Sequence, residues 1–219
     1  MPAPFAAPLM PAPLGRPPYP YFPMNSLLVA TTNRGKLNEI RVLMAGLPLD
    51  LRTLADFPDL AAPEETGLTF ADNARLKAFY YAKATGLTTV AEDSGLEIDA
   101  LGGEPGVHSA RFGGEDSSYD EKFRLIYERL ALAGTIESPA RFVCALVLAE
   151  GERILFETRG TVEGRIAPSP RGSGGFGYDP IFFYPPFGCT LAEAGDRKSE
   201  VSHRAVAFNR LRRYLEVGG

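Results

Sequence analysis

The chain has 219 residues, 45% of them hydrophobic, with 23 basic and 27 acidic side chains and a net charge of -4. That is apolar material enough for one full core or two closely packed lobes, and an acidic balance excludes general coating of nucleic acid, which calls for a basic surface. Two cysteines without CxxC spacing and two histidines offer little to a structural zinc ion. No apolar run reaches the length of a membrane span, and the sparse cysteine usage points to a reducing, cytoplasmic setting.

Residues 1–25 hold nine of the 19 prolines and a single charge, Arg16. Prolines interrupt any apolar stretch a signal peptide would need, so this leader is expected to be disordered or partly polyproline-like. Met24 stands just before the first clear strand and is read as the natural start, leaving residues 26–219 as one domain. Residues 26–31 read as a buried strand, followed by the polar loop Thr32-Asn33-Arg34-Gly35-Lys36 and a helix. Leu37, Ile40 and Met44 mark the helix's apolar face, and Gly46 its stop. Strand, polar loop and helix is the arrangement that turns backbone N–H groups toward a phosphate. The Walker-A pattern fails, because Ala30 and Leu37 occupy two of its fixed positions. At this level a phosphate cradle and a capped turn with a solvated lysine both fit. Residues 49–54 read as a second strand. The acidic turn Pro63-Glu64-Glu65-Thr66-Gly67 leads to a helix capped by Thr69 with Asp72 and ended by Gly86. Asn73 and Lys77 share a face of that helix, read as a solvated one.

Residues 88–99 read as a strand, a tight Asp93-Ser94-Gly95 turn and a second strand. Glu92 and Asp93 are adjacent, so on a strand they face opposite ways and only one can look into a given cleft. A carboxylate there, beside a hydroxyl and a glycine, suits Mg²⁺; the same three residues are also ordinary turn formers. A glycine-rich loop over residues 102–114 carries Ser109-Ala110-Arg111-Phe112. Ser118 and Glu121 form a capping box, and the helix behind it aligns Phe123, Ile126, Tyr127 and Leu130, stopping at Gly134. Residues 140–149 and 153–166 form a long hairpin, with Cys144 as a small core residue. The glycine-dense loop over residues 172–180 matches G-x-G-x-x-G formally. It follows Pro168-Ser169-Pro170 rather than a strand and opens no helix, so a dinucleotide fold is rejected. Phe176 and Tyr178 suit it instead to stacking against a flat ligand. A last helix begins near Ser199 or Ser202, with Val201, Ala205, Phe208, Leu211 and Leu215 as its buried stripe. Lys198, His203 and Arg204 cluster at its start. Cations there oppose the helix dipole, which invites a functional explanation.

Six segments together resemble the inosine triphosphate pyrophosphatases, a family acting on non-standard purine nucleoside triphosphates. They are Thr31 to Lys36; Glu64-Glu65-Thr66-Gly67-Leu68-Thr69-Phe70; Glu92-Asp93-Ser94-Gly95-Leu96; Gly106-x-x-Ser109-Ala110-Arg111-Phe112; Gly175-Phe176-Gly177-Tyr178-Asp179-Pro180-Ile181-Phe182; and Lys198-x-x-x-Ser202-His203-Arg204. They occur in family order and span the chain from about Leu27 onward. The resemblance implies an elongated, mixed α/β fold of two lobes with flanking helices, a central active-site cleft and a homodimer. It also implies Mg²⁺-dependent hydrolysis of ITP, dITP and XTP to the monophosphate and pyrophosphate. In residues, Thr31, Thr32, Asn33, Arg34, Gly35 and Lys36 wrap the triphosphate, with Lys77 adding charge. Asp93 and Glu64 hold the metal, Asp93 is also the general base, and Ser94 touches substrate. Phe176, Gly177, Tyr178, Asp179, Lys198, His203 and Arg204 form the base pocket. Neither nucleic acid nor membrane is an expected partner.

Two other readings are weighed. A Maf-type nucleotide pyrophosphatase acting on pyrimidine or modified nucleotides is disfavoured by the His203-Arg204 pair and the loop carrying Phe176 to Asp179. A non-hydrolytic nucleotide-binding or RNA-interacting module is disfavoured by the intact carboxylates and the acidic balance.

Overall fold

The structure is a computed structural model that describes residues 25–217. The proline-rich leader expected over residues 1–25 therefore lies, apart from Asn25, outside the described residues.

One seven-stranded sheet forms the frame. Its strands are β1 (Ser26–Val29), β2 (Asp50–Thr53), β3 (Thr89–Ile98), β4 (Pro139–Glu150), β5 (Arg153–Ile166), β6 (Phe182–Tyr184) and β7 (Cys189–Thr190), in the spatial order β2-β1-β3-β4-β5-β6-β7. β1 runs parallel to both β2 and β3, and every later pairing is antiparallel. The helices are α1 (Arg34–Leu43), α2 (Phe70–Thr85), α3 (Tyr119–Leu132), α4 (Lys198–Val201) and α5 (His203–Val217). Their ends follow local chemistry. Asn33 caps α1 through Lys36 N–H, Thr69 caps α2 through Asp72 N–H, and Ser118 with Glu121 closes a reciprocal box at α3.

The core divides into three clusters. Leu27, Val29, Ile40, Leu146, Phe208 and Leu211 join α1 and α5 to one face of the sheet. Leu28, Ala74, Ala78, Tyr81, Val143 and Val147 join α2 to the other. Leu96, Ile98, Phe123, Ile126, Leu130, Phe142 and Phe182 gather α3 and the far strands into a separate cluster.

The largest departure from the sequence reading is β3. Residues 89–98 are one unbroken strand, each paired in register with residues 149–140 of β4. Asp93-Ser94-Gly95 is no turn: ten consecutive ladder pairings outweigh the turn preference of three residues. Gly95 has an ordinary backbone conformation; a side chain there would overlap Ser109 Oγ and crowd the Gly106 carbonyl. It is small so that the loop over residues 106–111 can lie against the strand. The final helix is also split. Ser202 is extended (φ -63°, ψ 144°), and its hydroxyl accepts from Ala205 N–H at 3.0 Å, restarting the helix as α5.

Candidate active site

β1 is short and pairs with β3 only through Leu28 and Val29. Beyond Val90 that edge of β3 is free of β1, and the chain leaving β1 turns into the start of α1. A cleft of about 310 Å³ opens there, bounded by residues 30–33 and Lys36, by Glu65 and Lys77, by residues 92–95, by residues 109–111 and by residues 176–179 with Lys198, His203 and Arg204. Because it lies over a strand edge, it receives side chains from both faces of β3. Glu92 and Asp93 both line it, although they point opposite ways; the expectation that only one could do so is corrected.

Asp93 faces α2. Asn73 Nδ2 donates to its Oδ2 at 3.1 Å, and Lys77 Nζ lies 3.3 Å from its Oδ1. The pair four residues apart on α2, read from sequence as a solvated face, is therefore buried against β3: Asn73 is fully enclosed and its Oδ1 accepts from Gly67 N–H at 2.7 Å. Lys77 Nζ also contacts Glu65 Oε1 at 2.9 Å. Burial raises the Asp93 pKa, Lys77 opposes this and the neighbouring charge of Glu65 adds to it, so Asp93 titrates above its ordinary range. Lys77 faces two carboxylates. Burial would lower its pKa, but Asp93 and Glu65 leave it raised.

Glu92 faces α1 and α5. It accepts from Lys36 Nζ at 2.9 Å and from Arg204 Nε and Nη2 at 3.3 Å, while the Cys144 thiol lies 3.6 Å away. Burial pushes its pKa up, but Arg204, Lys36 and Lys77 overcome that and hold the carboxyl well below its usual range. Arg204 is itself almost wholly buried. It donates to Glu39 at 2.7 Å and to Ser94 Oγ at 3.0 Å, and Glu39 also binds Ser202. Most guanidinium donors of Arg204 are thus spent inside the protein, and it acts as a clamp joining α1, β3 and α5.

His203 stacks on Phe142 (centroids 4.9 Å, 14° between planes), and its Nδ1 is buried with no hydrogen-bond partner among the described residues. Burial, then the charge of Arg204, drives its pKa well below the usual value, so the ring is neutral. Asp179 accepts from Phe176 N–H at 2.8 Å and pairs with Lys198, fixing the 175–179 loop. Phe176 lies beneath Lys198 Nζ (4.3 Å to the ring centroid) and against Gly35, where an added Cβ would come within 3.1 Å of the ring. Tyr178, expected to be displayed for stacking, is instead buried, and its hydroxyl donates to the Ser109 carbonyl at 2.7 Å.

Of the residues expected from sequence, Thr31, Thr32, Asn33, Lys36, Lys77, Asp93, Ser94, Phe176, Gly177, Tyr178, Asp179, Lys198, His203 and Arg204 line this cleft. Arg34 is exposed and does not, and Gly35 is reached only through its contact with Phe176. Glu64 is exposed and outside the lining; the half-buried Glu65 stands in the cleft instead. The sequence reading names Glu64, but nothing local separates it from Glu65, since the choice depends on which side chain the turn presents to α2. Asn73, Glu39 and Glu92 were also not placed in the site, though a polar Asn on a mostly apolar helix flank was an available signal.

Asp93 and Glu65 meet on one lysine ammonium, and no group of three or more His, Cys, Asp or Glu among the described residues is arranged to hold a metal. Two carboxylates with room for water and substrate oxygens is a donor set that fits Mg²⁺ rather than zinc.

The family model described as the Ham1 family matches residues 27–214. A dITP/XTP pyrophosphatase of Thermus thermophilus is 49% identical over 84% of this chain and 89% of its own length. One from Geobacillus kaustophilus is 43% identical over 90% and 98%. The solved structure of a HAM1 protein from Coxiella burnetii superposes with a TM-score of 0.82 at 38% identity, covering 89% of this chain and all of that one. This chain belongs to the Ham1 family.

Proposed function

We propose that the chain hydrolyses non-standard purine nucleoside triphosphates (ITP, dITP and XTP) to the nucleoside monophosphate and pyrophosphate. The observation that carries this reading is that Asp93, buried and oriented by Asn73 and Lys77, opens on the same cleft as the start of α1 and the Phe176–His203 wall. Free N–H groups in the first turn of α1 suit a polyphosphate, with Lys36 and Lys77 within the cleft to neutralise it. Asp93 is the acceptor for the proton of the attacking water, and its raised pKa makes it a stronger base than a solvated aspartate. Asp93 and Glu65 would hold Mg²⁺, which supplies charge neutralisation and acidifies water.

Base choice rests on the other wall. The His203 Nδ1 atom has no partner among the described residues, and an unmet buried polar atom costs about 1–3 kcal/mol. A 6-oxo purine offers an acceptor where adenine offers a donor, so each mismatch excludes adenine by a similar amount. Work in the cytoplasm as a homodimer belongs to the same reading; both cysteines are free, and among the described residues no helix is long and apolar enough to cross a membrane.

The test is product identity across ITP, dITP, XTP, GTP, ATP, CTP and UTP with Mg²⁺. Pyrophosphate should appear mainly from the first three, and Asp93→Asn should abolish turnover while substrate binding survives. Orthophosphate as the product, or preference for pyrimidines, would sink the reading.

A further inference from the structure

Five cationic side chains and four carboxylates line the cleft. Four of the cations are committed to carboxylates: Lys36 to Glu92, Lys77 to Glu65 and Asp93, Lys198 to Asp179, and Arg204 to Glu39 and Glu92. The fifth, Arg111, makes no side-chain hydrogen bond or ion pair among the described residues, although it is half-buried.

Its backbone is anything but loose. Ser109 Oγ accepts from Leu96 N–H at 2.9 Å and donates to the Gly106 carbonyl at 2.6 Å, tying the loop to β3. Tyr178 holds the Ser109 carbonyl from the opposite wall. Lys122, on α3 and only 4% exposed, donates to the Ala110 carbonyl at 2.6 Å and lies 4.8 Å from the centre of the Tyr119 ring. No carboxylate pairs with Lys122 among the described residues, and burial lowers its pKa. Phe112 is buried beneath the Arg129 guanidinium. Residues 109, 110 and 112 are thus fastened by separate elements, while the side chain between them meets the cleft with its charge unmatched. A lysine interior to the same wall adds positive potential that no anion offsets.

We propose that Arg111 is a substrate-binding residue that grips the polyphosphate chain of the nucleotide. The inference rests on the pyrophosphatase reading for the identity of the substrate, but not for the anion site itself. A planar guanidinium fork matches phosphate oxygens in two parallel bonds. A triphosphate is the highly charged part of the ligand, whereas the ribose and the neutral purine offer nothing that calls for an unmatched cation. Holding the backbone fast while leaving the guanidinium unpaired lowers the ordering cost when the phosphate arrives.

The experiment measures binding of inorganic tripolyphosphate and of inosine, by calorimetry, to the wild type, Arg111→Lys and Arg111→Met, beside steady-state hydrolysis of ITP. Arg111→Met should weaken tripolyphosphate binding and lower kcat/KM by about ten- to hundredfold, flatten the salt dependence of binding, and leave inosine affinity within twofold. Arg111→Lys should recover part of the loss, since it keeps the charge but not the fork. Unchanged tripolyphosphate affinity, or an equal loss for inosine, overturns the proposal. Should Arg111→Met fail to fold, an arginine-selective dicarbonyl on the wild type decides: Arg111 must be protected by tripolyphosphate and not by inosine, and equal labelling refutes it. Absence of pyrophosphate release by the wild type would sink the pyrophosphatase reading, while the tripolyphosphate measurements would still judge Arg111.

Discussion

Replacing Asn73 with alanine isolates the orientation of the general base. The side chain is fully enclosed and makes two bonds, one to Asp93 Oδ2 at 3.1 Å and one from Gly67 N–H at 2.7 Å. The first is a bond to a charged acceptor, for which the net contribution is about 1.5–3 kcal/mol. The hydrogen bond favours the ionised form of Asp93, so its loss raises that pKa further. Asp93 must be ionised to accept a proton. Activity therefore grows as pH rises through its pKa, and the acid limb of the kcat/KM profile should move alkaline. At fixed near-neutral pH the loss should be about ten- to a hundredfold, part of it from a misdirected carboxylate. Asn73→Asp should be worse, because it adds a like charge beside Asp93 and cannot donate. The measurement is pyrophosphate release against pH for the three proteins, with thermal unfolding as a control for folding. An Asn73→Ala enzyme with an unmoved acid limb would refute the claim that Asn73 tunes Asp93, whatever its overall rate.

Further outcomes can be checked in the same assay. Glu65→Gln should cost far more activity than Glu64→Gln and raise the Mg²⁺ concentration needed for half-maximal rate; equal effects would count against the assignment of Glu65 as a metal-holding residue. Arg204→Met leaves Glu39 without its cation and Glu92 with Lys36 alone, and should destabilise the fold by about 3–5 kcal/mol, read by denaturant unfolding. The pH dependence of stability has a definite sign here. The folded pKa of Glu92 is depressed, so its contribution is present above the unfolded-state carboxylate value and disappears as pH falls through the folded one; Glu92→Gln should flatten that acid decline. Gly95→Ala must displace either β3 or the 106–111 loop, since the new methyl overlaps Ser109, and should lower both Tm and activity. A silent substitution would show that the loop does not depend on this close approach.

Much of the fold was legible because its signals are local. Helix starts at Thr69 and Ser118 are side-chain-to-backbone bonds spanning three residues, and the β4–β5 hairpin follows from two apolar runs about a short turn; the cap at Asn33 was missed, since residues 34–36 read as polar loop although α1 begins at Arg34. The misreading of β3 has the opposite origin. Asp93-Ser94-Gly95 carries strong local turn chemistry, and only the ladder to β4, some fifty residues away in sequence, makes it a strand. The Asn73–Lys77 face shows the same limit: nothing along α2 says that β3 lies over it. Tyr178 was misassigned for a related reason, because its hydroxyl finds the Ser109 carbonyl across 69 positions.

The sequence alone determined the family, the starts of α2 and α3 and the kinds of group the site contains: carboxylates, lysines, a histidine and an aromatic-bearing glycine loop. These are matters of residue identity and of bonds within one turn of chain. Tertiary structure alone decided which of those groups meet. It brought Glu65 rather than Glu64 into the cleft, buried Glu92 among two cations, turned Arg204 into a clamp and, among the described residues, left Arg111 unmatched. Such pairings come from charges brought together out of water by distant segments, where burial strengthens each attraction and makes each missing partner costly.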